Sequence, residues 1–173
     1  VLKYFEDGNI EFLVETPWGK FQAASKIESE FNLYNLFLTL PYYQFINGDC
    51  EDFFAEVENL SLPMGRLNKI EKGNIYIDYA HTPKALESVC KCLFKKKKNK
   101  LIIVFGAGGE RDKGKRALMG EVADKYCEKI YITSDNPRNE DPQQIANMIV
   151  DGIKGSDKIS MELDRALAIK NAI

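Results

Sequence analysis

From residue 73 onward the sequence alternates short apolar segments with longer amphipathic ones, and this alternation constrains the fold more than any other feature. The apolar segments predict four β-strands, at residues 74–78, 101–105, 129–133 and 158–161. The amphipathic segments predict helices after these strands, at residues 84–94, 116–126, 142–153 and 164–171. Alternating strands and helices are joined by right-handed crossovers. The sequence therefore predicts an α/β fold, a doubly wound, mostly parallel, Rossmann-like sheet with helices on both faces.

The residues before this pattern show no such alternation. Residues 9–15 and 20–24 predict two strands around a turn at 16–19. Residues 30–40 are apolar on most sides and predict a buried helix. Pro41 is expected to end or kink that helix, because proline lacks the N–H that a helix interior needs. This region is therefore predicted to be a separate α+β structure.

The two patterns meet between residues 60 and 66. Residues 49–60 predict an amphipathic helix with Asp49 as its cap. The segment L-P-M-G-R that follows, residues 62–66, fits neither pattern and indicates a boundary. We therefore predict two domains in this chain of 173 residues, at 1–62 and 63–173.

Charge and composition exclude several classes of function. The chain has 24 Lys and Arg against 26 Asp and Glu, a net charge of −2, which argues against a nucleic-acid-binding protein that relies on bulk charge. No apolar run approaches the roughly 18–20 residues that span a bilayer, so no membrane insertion is expected. The cysteines form no C-x-x-C pair and are expected to be idle thiols; they are Cys50, Cys90, Cys92 and Cys127. Since His81 is the lone histidine, no metal site is predicted.

Polar loops follow three of the predicted strands. They are D-Y-A-H-T-P (78–83), G-A-G-G-E-R-D-K-G-K-R (106–116) and S-D-N-P-R (134–138). In an open parallel sheet, ligands bind in the crevice beyond the carboxyl ends of the strands. Because all three loops are predicted at that edge, the sequence predicts a binding site there.

The second loop is unusually basic. Arg111, Lys113, Lys115 and Arg116 crowd the start of a predicted helix, where acidic residues are normally favoured. A bound anion would favour this arrangement, and the four glycines of the loop would let the backbone approach it closely. Residues 109–115 also fit G-x-x-x-x-G-K, but Arg116 stands where a P-loop needs Ser or Thr. We therefore predict a loop that faces a carboxylate or phosphate rather than a nucleoside triphosphatase core.

The third loop combines an acid, an amide and a guanidinium. Asp135 can accept hydrogen bonds from an ammonium group, and Asn136 can donate or accept. Pro137 stiffens the backbone, while Arg138 offers a planar fork that suits a carboxylate. The set fits a zwitterionic amino acid, and a capped turn with a surface ion pair is the alternative.

Four motifs stand in an order that resembles the C-terminal domain of the Mur ligase family. They are Gly65-Arg66, D-Y-A-H-T-P (78–83), F-G-A-G-G-E-R-D-K-G-K-R (105–116) with Met119-Gly120, and S-D-N-P-R-N-E-D-P (134–142). Upstream, F-N-L-Y-N (31–35) resembles the end of the family's central ATPase domain. The resemblance implies that residues 1–62 are the C-terminal part of the central ATP-binding domain. Residues 63–173 would then be the amino-acid-binding domain.

The activity that the resemblance implies is ATP-dependent amide-bond formation in peptidoglycan synthesis. A UDP-N-acetylmuramoyl dipeptide would receive meso-diaminopimelate through an acyl phosphate. Phosphorylation supplies the leaving group that a carboxylate lacks, and the enzyme mainly positions the partners and screens charge. ATP and Mg²⁺ are the implied cofactors, with the Mg²⁺ ligands outside this sequence. A monomeric enzyme of the bacterial cytoplasm is expected.

Two sets of site residues follow from the resemblance. The residues that would bind the nucleotide are Asn35, Arg66, Asp78 and His81, with Asn32 as a structural partner. The residues that would bind diaminopimelate are Arg111, Asp135, Asn136, Pro137 and Arg138. Arg138 is the discriminating residue, because lysine lacks the distal carboxylate and would leave the guanidinium unpaired. Losing such a pair costs roughly 1.5–3 kcal/mol, enough for at least about tenfold selectivity.

The sequence also departs from the family's pattern. It contains no Walker A motif and no domain for the UDP sugar, and the family's later Gly-Lys-Gly-His-Glu segment would lie beyond residue 173. We therefore expect a chain truncated at both ends, without catalytic residues and inactive alone. The alternatives are a non-catalytic amino-acid-binding module, a lysine-adding, other Mur-type or folylpolyglutamate ligase, and a P-loop-like NTPase that uses Lys115.

Overall fold

The computed structural model describes residues 2–4, 10–27, 29–70 and 73–173. Asn9, where the first predicted strand begins, lies outside these ranges. The chain forms two compact units, Val1–Tyr79 and Ala80–Ile173, called here the first and second units. Each has its own hydrophobic core.

The first unit begins with an antiparallel sheet of three strands. These are β1 (Leu2–Tyr4), β2 (Ile10–Thr16) and β3 (Gly19–Ser25), in that order across the sheet. β2 and β3 form the predicted hairpin, with Thr16 opposite Gly19 at its end. The Thr16 hydroxyl accepts the Trp18 N–H at 3.1 Å, and Gly19 takes a φ of 149° that favours glycine.

Three short helices follow the sheet: α1 (Glu30–Phe37), α2 (Leu40–Asn47) and α3 (Glu51–Glu56). The helix predicted at 30–40 therefore ends earlier, at Phe37, and Leu40 begins a second helix. Pro41 lies in the first turn of α2, where its missing N–H would have no partner within the helix. The predicted cap is wrong in position: Cys50 is the N-cap of α3, and Asp49, one residue earlier, accepts the Glu51 N–H at 2.8 Å.

Aromatic side chains join the helices to one face of this sheet. Phe54 of α3 stacks on Phe21 of β3 with ring centroids 4.5 Å apart. Phe37 of α1 meets Phe12 of β2 edge-on at 5.1 Å. The outer side of α1 is not covered, however, because Tyr34 is 60% exposed. The expectation of a buried helix at 30–40 is therefore wrong.

The strand predicted at 74–78 does not enter a parallel sheet. Only β5 (Tyr76–Ile77) forms, and it pairs antiparallel with β4 (Asn68–Lys69). The residues after β5 bond to the same neighbouring segment, since Tyr79 N–H donates to the Gly65 carbonyl at 2.8 Å. β5 is therefore part of a small antiparallel hairpin within the first unit.

The second unit has the predicted alternation of strands and helices. Its sheet is parallel, in the order β6 (Ile102–Phe105), β7 (Lys129–Ile132) and β8 (Ile159–Met161). Its helices are α4 (Pro83–Lys96), α5 (Gly114–Tyr126), α6 (Pro142–Val150) and α7 (Arg165–Ala172). The predicted α/β class is confirmed.

Helices cover both faces of this sheet, as predicted. Ile130 and Ile132 of β7 are fully buried in a core that includes residues of α4, α5 and α6. Tyr131 lies between them and therefore points to the opposite face. There its hydroxyl donates to the Asn171 carbonyl of α7 at 2.8 Å. Coverage of that face is partial, because Ile102 of β6 is 43% exposed.

Two glycines bring α5 and α6 into close contact. A Cβ placed on Gly120 would lie 2.0 Å from the Ile149 carbonyl oxygen. A Cβ on Gly152, just after α6, would lie 1.9 Å from the Ala117 carbonyl oxygen. Both distances are too short for any side chain, so the packing of the two helices depends on glycine at these positions.

We expect Gly152→Ala to destabilise the chain by about 1–3 kcal/mol, because the added methyl must push two backbones apart. Urea denaturation of the variant and the parent measures this. Gly114→Ala is the matched control: the nearest atom to its added Cβ is an Asp112 carboxylate oxygen at 3.3 Å, and alanine favours a helix. Equal stability of the two variants would contradict the close packing.

Candidate functional site

In the first unit, the predicted nucleotide residue Arg66 lies in a turn to which the other one, Asp78, is hydrogen-bonded. Gly65 and Leu67, on either side of Arg66, both have positive φ, 80° and 55°. The Asp78 carboxylate accepts the Leu67 N–H at 2.8 Å and holds the left-handed turn. Arg66 itself is exposed. The structure therefore brings these two residues together and presents the arginine to solvent.

Helix α1 contacts the same turn. The side chain of Asn32 is buried, and its amide donates to the Ser29 hydroxyl at 2.7 Å and to the Arg66 carbonyl at 3.5 Å. Asn35 lies one turn further along α1 and is exposed. Asn32 thus links the start of α1 to the turn at Arg66.

In the second unit, the polar loops after β6 and β7 lie side by side because these strands pair in parallel. Glycines let their backbones touch. A Cβ on Gly106 would lie 2.1 Å from the Thr133 carbonyl oxygen, and one on Gly109 would lie 1.9 Å from that of Pro137. These two glycines therefore serve the contact between loops rather than the approach of an anion that the sequence suggested.

Hydrogen bonds run in both directions between the two loops. The Gly109 N–H donates to the Asn136 carbonyl at 2.8 Å. The Arg138 guanidinium returns a bond from Nη1 to the Gly109 carbonyl at 2.5 Å. Arg138 has a φ of 51°, and its N–H donates to the Asn136 side-chain oxygen at 3.3 Å. The loops thus hold Arg138 in a conformation that non-glycine residues seldom adopt.

Arg111 and Arg138 approach the same point, Gly108. A Cβ built on Gly108 would lie 3.1 Å from Nη1 of Arg138 and 3.8 Å from Cγ of Arg111. Both arginines are exposed, and so is Asp135 in the neighbouring loop. At Gly108 the near atom of Arg138 thus belongs to its guanidinium, and that of Arg111 to the aliphatic part of its side chain.

Arg116 does not face a ligand. Its side chain is fully buried and forms a forked ion pair with Glu140, with Nη1–Oε2 at 2.8 Å and Nη2–Oε1 at 3.0 Å. Lys115 is also engaged, because its Nζ donates to the His81 carbonyl at 3.0 Å. The sequence grouped these cations as one anion-binding cluster, and for Arg116 that interpretation is wrong. Its partner Glu140 stands in the fourth motif but received no role.

A signal for this ion pair was present in the sequence. Residues at positions 116, 119, 120 and 123 share one face of α5, and all four are buried. An arginine on an otherwise apolar helix face requires a buried counter-charge. The spacing alone therefore predicts a carboxylate partner for Arg116, although it does not say which one.

The predicted site coincides with no metal-ligand cluster of the described residues and with neither of two cavities in the first unit. Among the described residues, no three His, Cys, Asp or Glu side chains form a group that could hold a metal ion. Two cavities of about 420 and 410 Å³ lie in the first unit, and no predicted site residue is among those that line them. The site in the second unit is an exposed surface between two loops.

Hydrogen bonding from Arg116, assisted by the Glu110 N–H, lowers the pKa of Glu140 to about 2. A carboxyl group of an unfolded chain has a pKa of about 4.3. Because the folded pKa is the lower one, the stabilisation is complete above about pH 5 and is lost as the pH falls through 4.3 towards 2.

We therefore expect the difference in unfolding free energy between the parent and Glu140→Gln to narrow as the pH is lowered from 5 to 2. Urea denaturation at a series of pH values measures it. Glu121→Gln, at an exposed position on α5, is the control and should show no such narrowing. A difference that is independent of pH would exclude an ionised Glu140 as the partner of Arg116.

Comparison with known proteins agrees with these motifs. The sequence profile of the family described as "Mur ligase, glutamate ligase domain" matches residues 65–173. The UDP-N-acetylmuramoyl-L-alanyl-D-glutamate–2,6-diaminopimelate ligase of Chlamydia trachomatis serovar D is 45% identical over 158 residues, which cover 88% of this chain and 32% of the relative. The enzyme of that name from Prochlorococcus marinus is 38% identical over 180 residues, 99% of this chain and 35% of its own length. The chain thus spans about a third of these relatives.

Solved structures agree as well. A UDP-N-acetylmuramoyl-L-alanyl-D-glutamate–2,6-diaminopimelate ligase matches with a TM-score of 0.63 and 36% identity, over 99% of this chain and 36% of that one. Mycobacterium tuberculosis folylpolyglutamate synthase reaches a TM-score of 0.82 at 18% identity, over 99% of this chain and 39% of that one, a likeness of fold alone. The resemblance that the four motifs predicted is confirmed: this chain belongs to the Mur ligase family.

Proposed function

We propose that this chain is part of an ATP-dependent ligase that adds meso-diaminopimelate to UDP-N-acetylmuramoyl-L-alanyl-D-glutamate during peptidoglycan synthesis. The observation that carries the proposal is the approach of Arg111 and Arg138 to Gly108, beside the exposed Asp135. The names of the relatives, at 38–45% identity, support the same substrate. Since the chain spans about a third of their length, the remaining parts of the reaction lie elsewhere in the enzyme.

In the proposed reaction, the terminal carboxylate of the nucleotide-linked peptide takes the γ-phosphoryl group of ATP. The amino group of diaminopimelate then attacks the acyl phosphate, and inorganic phosphate leaves. Mg²⁺, held by residues outside this chain, would screen the phosphate charge when bound. This chain contributes no catalytic residue in the proposal; it holds the incoming amino acid in position for attack.

The acceptor site distinguishes diaminopimelate from lysine by the distal carboxylate. A guanidinium has five N–H donors, and the bond from Nη1 of Arg138 to Gly109 uses one of them. The others are proposed to bind a substrate carboxylate, with Arg111 assisting from the other side of Gly108. Asp135 is proposed to accept a hydrogen bond from an ammonium group of the substrate. Asn136 and Pro137 would fix the spacing between Asp135 and Arg138. Lysine would leave the Arg138 guanidinium unpaired.

The assignment of residues to the nucleotide is also a proposal. Asn35 would contact the adenine, because its exposed amide can both donate and accept. Arg66 and Asp78 would reach the phosphates and ribose from the locked turn of the first unit. His81 lies near the start of the second unit, where its exposed side chain precedes α4; we propose that it also belongs to the nucleotide set.

The proposal also covers location and assembly. None of the described helices is long and apolar enough to cross a membrane. Substrates linked to nucleotides and consumption of ATP are typical of the bacterial cytoplasm, where we place the enzyme as a monomer. We expect the isolated chain to be inactive in amide-bond formation.

In the ligase that carries this chain, we expect Arg138→Ala to raise the KM for meso-diaminopimelate by about 10- to 100-fold, because a charge-assisted pair is lost. The KM for ATP should change less than about twofold, since the charge serves the acceptor only. Steady-state assays of phosphate release measure both constants. Lys91→Ala, an exposed cationic residue on α4 of the second unit, is the control. An equal rise in both KM values would refute the assignment of Arg138 to the amino acid.

The same variant should lose its preference against L-lysine. In the parent, we expect kcat/KM for diaminopimelate to exceed that for lysine by at least about tenfold, and Arg138→Ala should bring the two within about threefold. Competition assays with both amino acids give the ratio directly. A parent enzyme that prefers lysine would instead support the lysine-adding alternative.

A further inference from the structure

Glu140 links the loop after β7, in which it lies, to the loop after β6 and to α5. Its Oε1 accepts the Glu110 N–H at 2.5 Å and the Arg116 Nη2–H at 3.0 Å. Its Oε2 accepts from Arg116 Nη1 at 2.8 Å. One carboxylate thus satisfies donors from the loop after β6 and from the start of α5, while its own backbone belongs to the loop after β7.

The ion pair also fixes the backbone on which Arg138 rests. Arg116 Nη2 donates to the Gly108 carbonyl at 3.2 Å, and Glu140 holds the Glu110 N–H. Gly109 lies between these two fixed points, and its carbonyl accepts the bond from Arg138. A shift of the pair would therefore move the acceptor that sets the position of the Arg138 guanidinium.

Two residues near the pair have backbone conformations that cost free energy outside glycine. Glu110 and Arg138 each have a φ of 51°. Hydrogen bonds to Glu140 hold both conformations. The Glu140 carboxylate accepts the Glu110 N–H. The backbone N–H of Glu140 donates to the Pro137 carbonyl at 3.0 Å and so closes the turn that contains Arg138. Such strain persists only where the surrounding bonds fix the local structure.

We propose, resting on the function proposed above, that Glu140 is a positioning residue for the acceptor amino acid. Paired with the buried Arg116, it sets the geometry at which Arg138 meets the distal carboxylate of diaminopimelate. Its own carboxylate oxygens are occupied by Arg116 and Glu110 and do not contact the substrate.

Glu140→Gln tests this proposal in the ligase that carries the chain. The amide has one oxygen for three donors and turns an N–H₂ group towards them, so the pair is loosened while the shape is kept. We expect the KM for meso-diaminopimelate to rise by about tenfold or more, since small displacements of binding groups have large effects. The KM for ATP and kcat should stay within about threefold. Glu121→Gln, on the exposed side of α5, should leave all three constants unchanged.

Glu140→Asp keeps the charge on a shorter side chain and covers the case in which the glutamine variant does not fold. We expect partial rescue, with a diaminopimelate KM between those of the parent and Glu140→Gln. If Glu140→Gln does not fold, an aspartate variant that folds and keeps the parent KM overturns the proposal. A purely structural role would lower the thermal midpoint without a selective change in this KM, and that result also overturns it.

A substrate-free readout comes from the 173-residue chain itself. In ¹H–¹⁵N spectra, Glu140→Gln should shift the amide signals of Gly109 and Glu110 and the side-chain Nε–H signal of Arg138, whereas Glu121→Gln should not. Unchanged signals at these three groups would overturn the proposal. The Arg138→Ala kinetics distinguish failure of the positioning role from failure of the proposed function. If Arg138→Ala selectively raises the KM for diaminopimelate but Glu140→Gln does not, the positioning role fails and the proposed function stands. If Arg138→Ala does not selectively raise the KM for diaminopimelate, the proposed function fails and the positioning role fails with it.

Discussion

Burying the guanidinium of Arg116 requires a carboxylate within bonding distance, and Glu140 meets that requirement from the loop of the neighbouring strand. An uncompensated charge in this position would be strongly destabilising, so the two segments cannot move independently. The parallel register of β6 and β7 brings their loops to the same edge of the sheet. The ion pair then fixes how these loops fit together. The positions of Gly109 and Arg138 follow from that fit.

Glycine has two distinct uses in the second unit. At Gly106 and Gly109 it lets one loop backbone rest on another, and at Gly120 and Gly152 it lets two helices do the same. In each case the missing Cβ removes a clash with a carbonyl oxygen. The glycine-rich loop after β6 is therefore closely packed rather than flexible. Such packing suits a surface that must present arginines in fixed positions.

The order of elements in the second unit was predictable because each strand and helix has a strong local period. The pairing of β5 was not, since a two-residue strand at 76–77 carries no local sign of its antiparallel partner at 68–69. The motifs located Arg111 and Arg138, whose side chains approach the same glycine. Glu140 was missed because a carboxylate in a polar loop looks solvated until the buried face of α5 is considered. Tertiary contacts decide such cases, and a local pattern contains no record of them.

The bond from Arg138 to the Gly109 carbonyl constrains how acceptor preference can diverge within such enzymes. In the proposed site, the Arg138 side chain that binds the substrate carboxylate also holds together the two loops at the site. A replacement at position 138 that has no N–H donor removes both contributions together, so such mutations are epistatic with the residues lining the loop. In a lineage that abandons the diacid, another side chain or a water molecule would then have to donate to that carbonyl in place of the arginine.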